Sequence, residues 1–418
     1  MSKKLTAFVA IAAGSLALTA VVSNASAATP TLIISSDLPL QGPTKNLSDS
    51  TNNAIKLYLK QVGYKAGKFK VSFKMYDDAT AAKGAWDDAT CNKNALAHVA
   101  NRNEVAVMGT YNSGCSKIIV PILNQDPKGP MLMISHSNTA PGLTKKWDTG
   151  EPNIYYPKGK RNYARVSTTD DIQGAAAAQY AKQVLKVSKV FVLNDNQTYG
   201  QGIAQVFTAE AKKVGLTVLS GGAYGEAWDA KQPNYEALFG KMKALNPDLV
   251  YVGGIFDNNG GQLVKDKVKV LGDNTKVKLM GSNGFTGYEA LNVMPEAQGM
   301  YLTFIGLSAD LLPKGNSWAK FLASYKKAYG SAPVGSDPIY GVSAVQVILA
   351  AIAKSNGTRK SINAAVFSGA GVTVPAKQSM LGKSIHINTR TGDVDAKDIT
   401  VEVIKGNVET TLQAWTVK

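Results

Sequence analysis

Short apolar runs alternate with amphipathic helical stretches along nearly the whole chain, and this alternation restricts the fold more than any other feature. The runs fall at 31–36, 71–76, 105–109, 131–135, 190–194, 249–253, 277–281 and 300–305. Several are apolar on consecutive positions, as expected of strands covered on both faces. Between them lie stretches such as "NAIKLYLKQVG", "GAAAAQYAKQVLK", "AQVFTAEAKKVG" and "WAKFLASYKKAYG", many of them stopped by glycine. Such a pattern predicts an α/β fold of parallel sheets with helices on both sides. Ten or more units exceed one sheet, so two lobes are expected. The break is placed near 159–174, after the Pro-, Gly- and charge-rich loop "TKKWDTGEPNIYYPKGK". The C-terminal stretch alternates and carries turn signals at Thr391-Gly392 and Lys405-Gly406, which predicts antiparallel strands.

The N-terminus reads as an export signal. Lys3 and Lys4 precede an apolar run at 5–22, then Ala25-Ser26-Ala27, which predicts a signal peptide over 1–27 cleaved after Ala27. The run is long enough for an uncleaved anchor, but Gly14, Ser15, Thr19 and the small-residue cleavage site favour removal. No cysteine follows the run, so a lipid anchor is not expected, and no later apolar stretch is long enough to span a bilayer. Export decides how Cys91 and Cys115 are read. An even pair outside the cytoplasm predicts one disulfide, joining a helix to the end of the following strand; two buried free thiols are the alternative. The net charge of +16 is spread through stretches such as "KDKVKVLGDNTKVK" at spacings suited to solvated faces. That is a surface property rather than a nucleic-acid footprint.

In open α/β sheets ligands sit beyond the carboxyl ends of the strands. Here those ends carry "GTYNSGCS", "ISHSNTAPG", "LNDNQTYGQG", "GGIFDNNGG" and "GSNGFTG", which are polar, aromatic and glycine-rich, with few charges. They predict a binding cleft. Catalytic signatures are scarce. His98, His136 and His386 have no metal-ligand spacing, so no metal or cofactor is expected. "MGSNG" has the wrong order for a nucleophile elbow, "YGQGIAQ" lacks the third glycine of a dinucleotide fingerprint, and "LGKSI" lacks the first glycine of a phosphate loop. His136 ends a strand among hydroxyls with no carboxylate nearby in sequence, which favours a structural or ligand-contacting role over a base. Ser113, Ser137 and Thr139 offer hydroxyls beside exposed backbone N–H groups, an arrangement suited to a carboxylate, although each alone could be a helix cap. Tyr199 and Phe256 could supply apolar walls; Phe256 could equally pack in a core under its loop.

In order, a secretory signal, "SSDLPLQGP", "YDDAT", "YNSGCS", "MLMISHSNTAPGLT", "DNQTYGQG" and "YVGGI" resemble the type I periplasmic solute-binding proteins, in particular the branched-chain amino acid (Leu/Ile/Val)-binding group of ABC transporters. The resemblance covers essentially the whole chain after the signal. It implies two Rossmann-like lobes joined by three crossovers, lobe 1 from 28–165 and 306–400, and lobe 2 from 166–305 and 401–418. It also supports a Cys91–Cys115 disulfide. Carried over by position, the family's ligand serine matches Ser113, its carboxylate-holding loop matches Ser137 and Thr139, its tyrosine matches Tyr199, and a second aromatic position falls at Ile255 or Phe256. The acidic residue that meets the ligand's ammonium matches Asn283. An amide cannot neutralise an ammonium, so Asp171, Asp195 and Asp257 are the candidates to replace it.

The expectation is therefore an exported, non-enzymatic protein that captures a small organic solute between two lobes for an ABC transporter permease in the cell membrane, with no nucleic-acid partner. The solute is expected to be a carboxylate or neutral polar compound rather than a simple branched-chain amino acid. The rivals are a ligand-sensing module of the same fold and, further off, a secreted α/β enzyme.

Overall fold

The structure, a computed structural model, describes residues 31–417 together with Met1. The expected signal segment and its cleavage point after Ala27 lie outside the described residues. All eight apolar runs form strands, and these assemble into two large sheets.

The first sheet has six strands, in the order Lys65–Ala66, Phe69–Asp77, Leu32–Leu38, Glu104–Gly109, Leu132–Ser135 and Tyr163–Arg165. All neighbours are parallel except the short Lys65–Ala66 hairpin arm. Its inner strands Leu32–Leu38, Glu104–Gly109 and Leu132–Ser135 are covered on both faces and read as nearly continuous apolar runs, whereas Phe69–Asp77 alternates between buried and exposed residues. Helices Lys45–Gln61 and Asp337–Ala353 pack together on one side. The second of these is buried almost all round, as its composition requires. Its one amide, Gln346, donates to the Gln378 carbonyl at 2.6 Å. No helix among the described residues is long and apolar enough to cross a membrane.

The second sheet orders Thr217–Val218, Lys189–Asn194, Leu249–Gly253, Lys278–Gly281 and Tyr301–Phe304 in parallel, and Glu226–Ala227 also pairs with Lys189–Asn194. The expected antiparallel strands, Asp398–Lys405 and Val408–Thr416, complete it as a hairpin around Gly406. Helix Asp170–Gln183 lies close on helix Thr198–Lys213 because Gly174 presents no side chain; a Cβ there would sit 2.8 Å from Val206.

Cys91 and Cys115 form a disulfide. Cys115 lies in the first turn of helix Ser113–Asn124 rather than at a strand end, so the bond joins two helices. The chain passes between the sheets three times, and backbone or side-chain hydrogen bonds tie the passages together. The Thr168 N–H donates to the Ile305 carbonyl at 3.3 Å, and the Ser308 N–H to the Thr400 hydroxyl at 2.9 Å. The Arg165 N–H donates to the Gly392 carbonyl at 2.9 Å.

Candidate functional site

Each sheet has a switch point where neighbouring connections leave in opposite directions. These fall between Leu32–Leu38 and Glu104–Gly109, and between Lys189–Asn194 and Leu249–Gly253. Crevices open beyond the carboxyl ends of strands at such points. Segments following five of these strands converge on one cavity of about 240 Å³, lined by Tyr111, Ser113, Ser137, Thr139, Tyr199 and Asn283, with Asn112, Ile255 and Gly284. A second compartment of about 210 Å³ shares Ser113, Tyr199 and Ile255 and is bounded by Trp86 and Asp195.

Five of the six ligand residues expected from sequence meet here. Phe256 does not: it packs against Phe285 and Tyr288, with ring centroids 6.1 and 4.9 Å away, and Ile255 takes the wall instead. The backbone explains the choice. The Ile255 N–H is held by the Asp195 carboxylate at 2.9 Å and the Phe256 N–H by the Gly284 carbonyl at 2.8 Å.

The polar groups of the cavity are hydroxyls and amides, able both to donate and to accept. The Ser113 hydroxyl accepts from the Ala140 N–H at 3.3 Å, joining the two lining loops. The buried Thr139 hydroxyl lies against the Asp170 carboxylate without closing a hydrogen bond of good geometry. The Gly284 N–H donates to the Tyr199 hydroxyl at 3.3 Å, and that hydroxyl donates to Asn283 Oδ1 at 2.6 Å. Asn283 still has its amide N–H₂ and the second lone pair of Oδ1 to offer, but no charge with which to neutralise an ammonium.

Arg165, fully buried, fixes the loop that carries Thr139. Its guanidinium donates to the Asn138 carbonyl at 2.9 Å, the Ala140 carbonyl at 3.0 Å and the Thr144 hydroxyl at 2.7 Å, and pairs with Asp393 at 2.9 Å. Burial pushes the His136 pKa down to about 3, favouring the neutral ring, and its Nε2 lies 4.0 Å from the Asp337 carboxylate.

The three carboxylates named as replacements for the ammonium partner are engaged elsewhere. Asp171 pairs with Lys145 at 2.8 Å. Asp195 accepts from the Ile255 N–H, the Asn258 amide and the Gln197 N–H. Asp257 accepts from Thr44 and Tyr288. The carboxylate that sequence reasoning missed is Asp170. It is fully buried behind Thr139 and close enough to Tyr199 and Tyr251 to act on both, and neither of its oxygens has a hydrogen bond of good geometry. Burial raises its pKa to about 7, against the Thr139 hydroxyl and the Arg165 charge, which lower it. Its sequence signal was that of an ordinary helix-start acid beside Asp171.

Two α/β sheets thus present their strand ends to one polar cavity, the layout of a receptor for a small solute. The chain belongs to the periplasmic binding protein family, whose model matches residues 38–392. An "Amino acid binding protein" of Pseudomonas aeruginosa is 28% identical over 314 residues, 73% of this chain and 72% of that one. A "Leu/Ile/Val-binding protein BraC3" of Rhizobium johnstonii is 25% identical over 365 residues, 87% of this chain and 89% of that one. Among solved structures, the leucine binding protein LivK of Thermotoga maritima superposes with a TM-score of 0.74 at 18% identity, covering 92% of this chain and 99% of that one. A solute-binding protein of R. palustris in complex with benzoate superposes with a TM-score of 0.71 at 18% identity, covering 93% and 98%. The fold is thus that of the type I periplasmic binding proteins, and the family and these relatives are binding proteins rather than enzymes.

Proposed function

We propose that this protein, exported by its N-terminal signal, captures a small carboxylate between its lobes and delivers it to an ABC transporter permease. The observation that carries the reading is the convergence of the Ser113, Ser137 and Thr139 hydroxyls and the Asn283 amide on one cavity whose lining holds no charged side chain. Lobe 1 (28–165 and 306–400) and lobe 2 (166–305 and 401–418) would part at the three crossovers to admit the solute. The relatives' names and structures span amino acids and benzoate; the uncharged Asn283 favours the acid without an ammonium. A thermal-shift screen of aliphatic and aromatic carboxylates against amino acids and amides, followed by X-ray scattering, tests this. A saturable stabilisation by an acid, with a smaller radius of gyration, is expected. Stabilisation by neutral amides alone would exclude it.

A further inference from the structure

A second concavity, of about 1180 Å³, lies on the line between the lobes, away from the solute cavity. Its walls come from Gly287 and Glu289 beyond the second sheet, from Val334 to Ser336 ahead of helix Asp337–Ala353, from the crossover at Ser308 to Asp310, and from the C-terminal hairpin. It holds four carboxylates, Glu289, Asp310, Glu402 and Glu409, and no lysine, arginine or histidine. In a chain with 46 basic and 30 acidic residues this sign is opposite to the composition.

Glu402 is the deepest of the four. It is 95% buried by its 5% exposure, and one oxygen is bound by the Ser308 hydroxyl. The other oxygen, Oε2, has no hydrogen-bond partner although its residue lines the groove. Cross-strand register pairs Glu402 with Thr411 and Ile404 with Glu409, so Glu402 and Glu409 share one face of the hairpin as diagonal neighbours. Glu409 is half-buried and accepts from the Gly287 N–H at 2.7 Å. Burial and the charge of Asp310, opposed by the Ser308 hydrogen bond, push the Glu402 pKa up to about 7. Burial and the Glu402 charge push Glu409 to about 8. Other carboxylates, and no basic side chain, are thus the charges that act on this pair.

We propose that this groove binds a small organic cation, a primary amine or guanidinium compound, with its charged head against Glu402 Oε2 and Glu409 and its remainder towards the exposed Glu289 and Asp310. An organic cation fits better than a metal ion. Among the described residues the one grouping tight enough for metal coordination is Asp78 with Cys91 and Cys115, whose sulfurs are already in the disulfide. An ammonium brings three donors and a guanidinium five, so either can serve carboxylates several ångströms apart. Both lobes contribute walls, so the bound cation stabilises the closed arrangement. Tyr111, which lines the solute cavity, also lies within the field of Glu409 and Asp337. Cation and solute should therefore bind with positive, reciprocal coupling.

The test is calorimetry and thermal shift with putrescine and agmatine at constant ionic strength, with tetramethylammonium and calcium chloride as the other arms. Saturable putrescine or agmatine binding is expected, weakened tenfold or more in Glu402→Gln and in Glu409→Gln. Asp310→Asn, at an exposed position, gives a smaller loss and covers the case in which a buried variant does not fold. An equal response to tetramethylammonium would reduce the effect to screening and overturn the proposal. A response to calcium alone, no saturable binding, or binding that survives both glutamate variants would also overturn it.

Discussion

Asp257, beyond a strand of the second sheet, caps a helix of the first: its carboxylate accepts the Thr44 N–H at 3.1 Å and the Thr44 hydroxyl at 2.6 Å, directly ahead of helix Lys45–Gln61. Tyr288 donates to the same carboxylate at 2.7 Å. The anion sits at the positive end of the helix, and the bond exists only while the lobes are together. Charge-assisted hydrogen bonds contribute about 1.5–3 kcal/mol, and this contribution falls on the closed state alone. Asp257→Asn should therefore weaken solute affinity roughly 10- to 100-fold, mainly by faster release, in stopped-flow measurements. The melting temperature of the ligand-free protein should change little. A large loss of unliganded stability with unaltered affinity would show that the clasp is not a closing element.

The Arg165 side chain makes a different contribution, because it holds the 138–144 loop from within lobe 1. Arg165→Met keeps the apolar stem and removes every donor, leaving the Asn138 and Ala140 carbonyls and Asp393 without their partner. Breaking a buried pair in this way costs about 3–5 kcal/mol, readable in urea unfolding. Affinity should fall as well, since Thr139 lies between two of the lost contacts.

His98 gives a pH signature to stability. It is buried between Asp37, 3.1 Å from Nε2, and Glu104, 2.5 Å from Nδ1. Burial alone would lower its pKa, but hydrogen bonds and charge from the two carboxylates raise it to about 9. With the folded-state pKa above the ordinary 6.5, its contribution is complete below pH 6.5 and is lost as pH rises towards 9, by up to about 3 kcal/mol. Unfolding free energy should decline over that window, and His98→Gln should flatten the decline. An equal slope in the variant would assign it to other groups.

The Cys91–Cys115 bond closes a loop with a sequence separation of 24 and anchors the first turn of the helix that begins at Ser113. Reduction should cost about 3 kcal/mol of stability in the loop-entropy account. Because Ser113 is two residues from Cys115, reduced protein that stays folded should also bind solute more weakly. Unchanged affinity after reduction would show that packing alone positions Ser113.

Most of the eight main strands were legible because burial on both faces writes a continuous apolar run into the chain; Phe69–Asp77, with one face partly exposed, was legible by its alternation. The cavity was legible at Ser113, Ser137, Thr139, Tyr199 and Asn283 because polar residues follow those runs immediately. Between Ile255 and Phe256 the sequence left the choice open, because the side-chain direction in the turn after the strand is set by a distant contact, the Asp195 carboxylate on the Ile255 N–H. Asp170 was illegible for another reason. Its position depends on how a crossover brings one helix start behind Thr139, and nothing local separates it from Asp171, which lies on the surface with Lys145. Glu402 and Glu409 likewise sit in a hairpin whose alternation resembles a solvated edge, and the groove over them is made by segments far away in the chain.

The central claim, that the cavity recognises a carboxylate without requiring an ammonium, is tested most directly by calorimetric titration with leucine and with 4-methylpentanoate, the same carbon skeleton lacking the amino group. An ammonium left without a partner costs about 2–5 kcal/mol, or roughly 30- to 4,000-fold in affinity. The account predicts that 4-methylpentanoate binds more tightly than leucine, and that Thr139→Ala weakens it at least tenfold. Leucine binding more tightly than the acid, with the difference abolished by Asp170→Asn, would contradict it and make Asp170 the counter-ion of an amino acid.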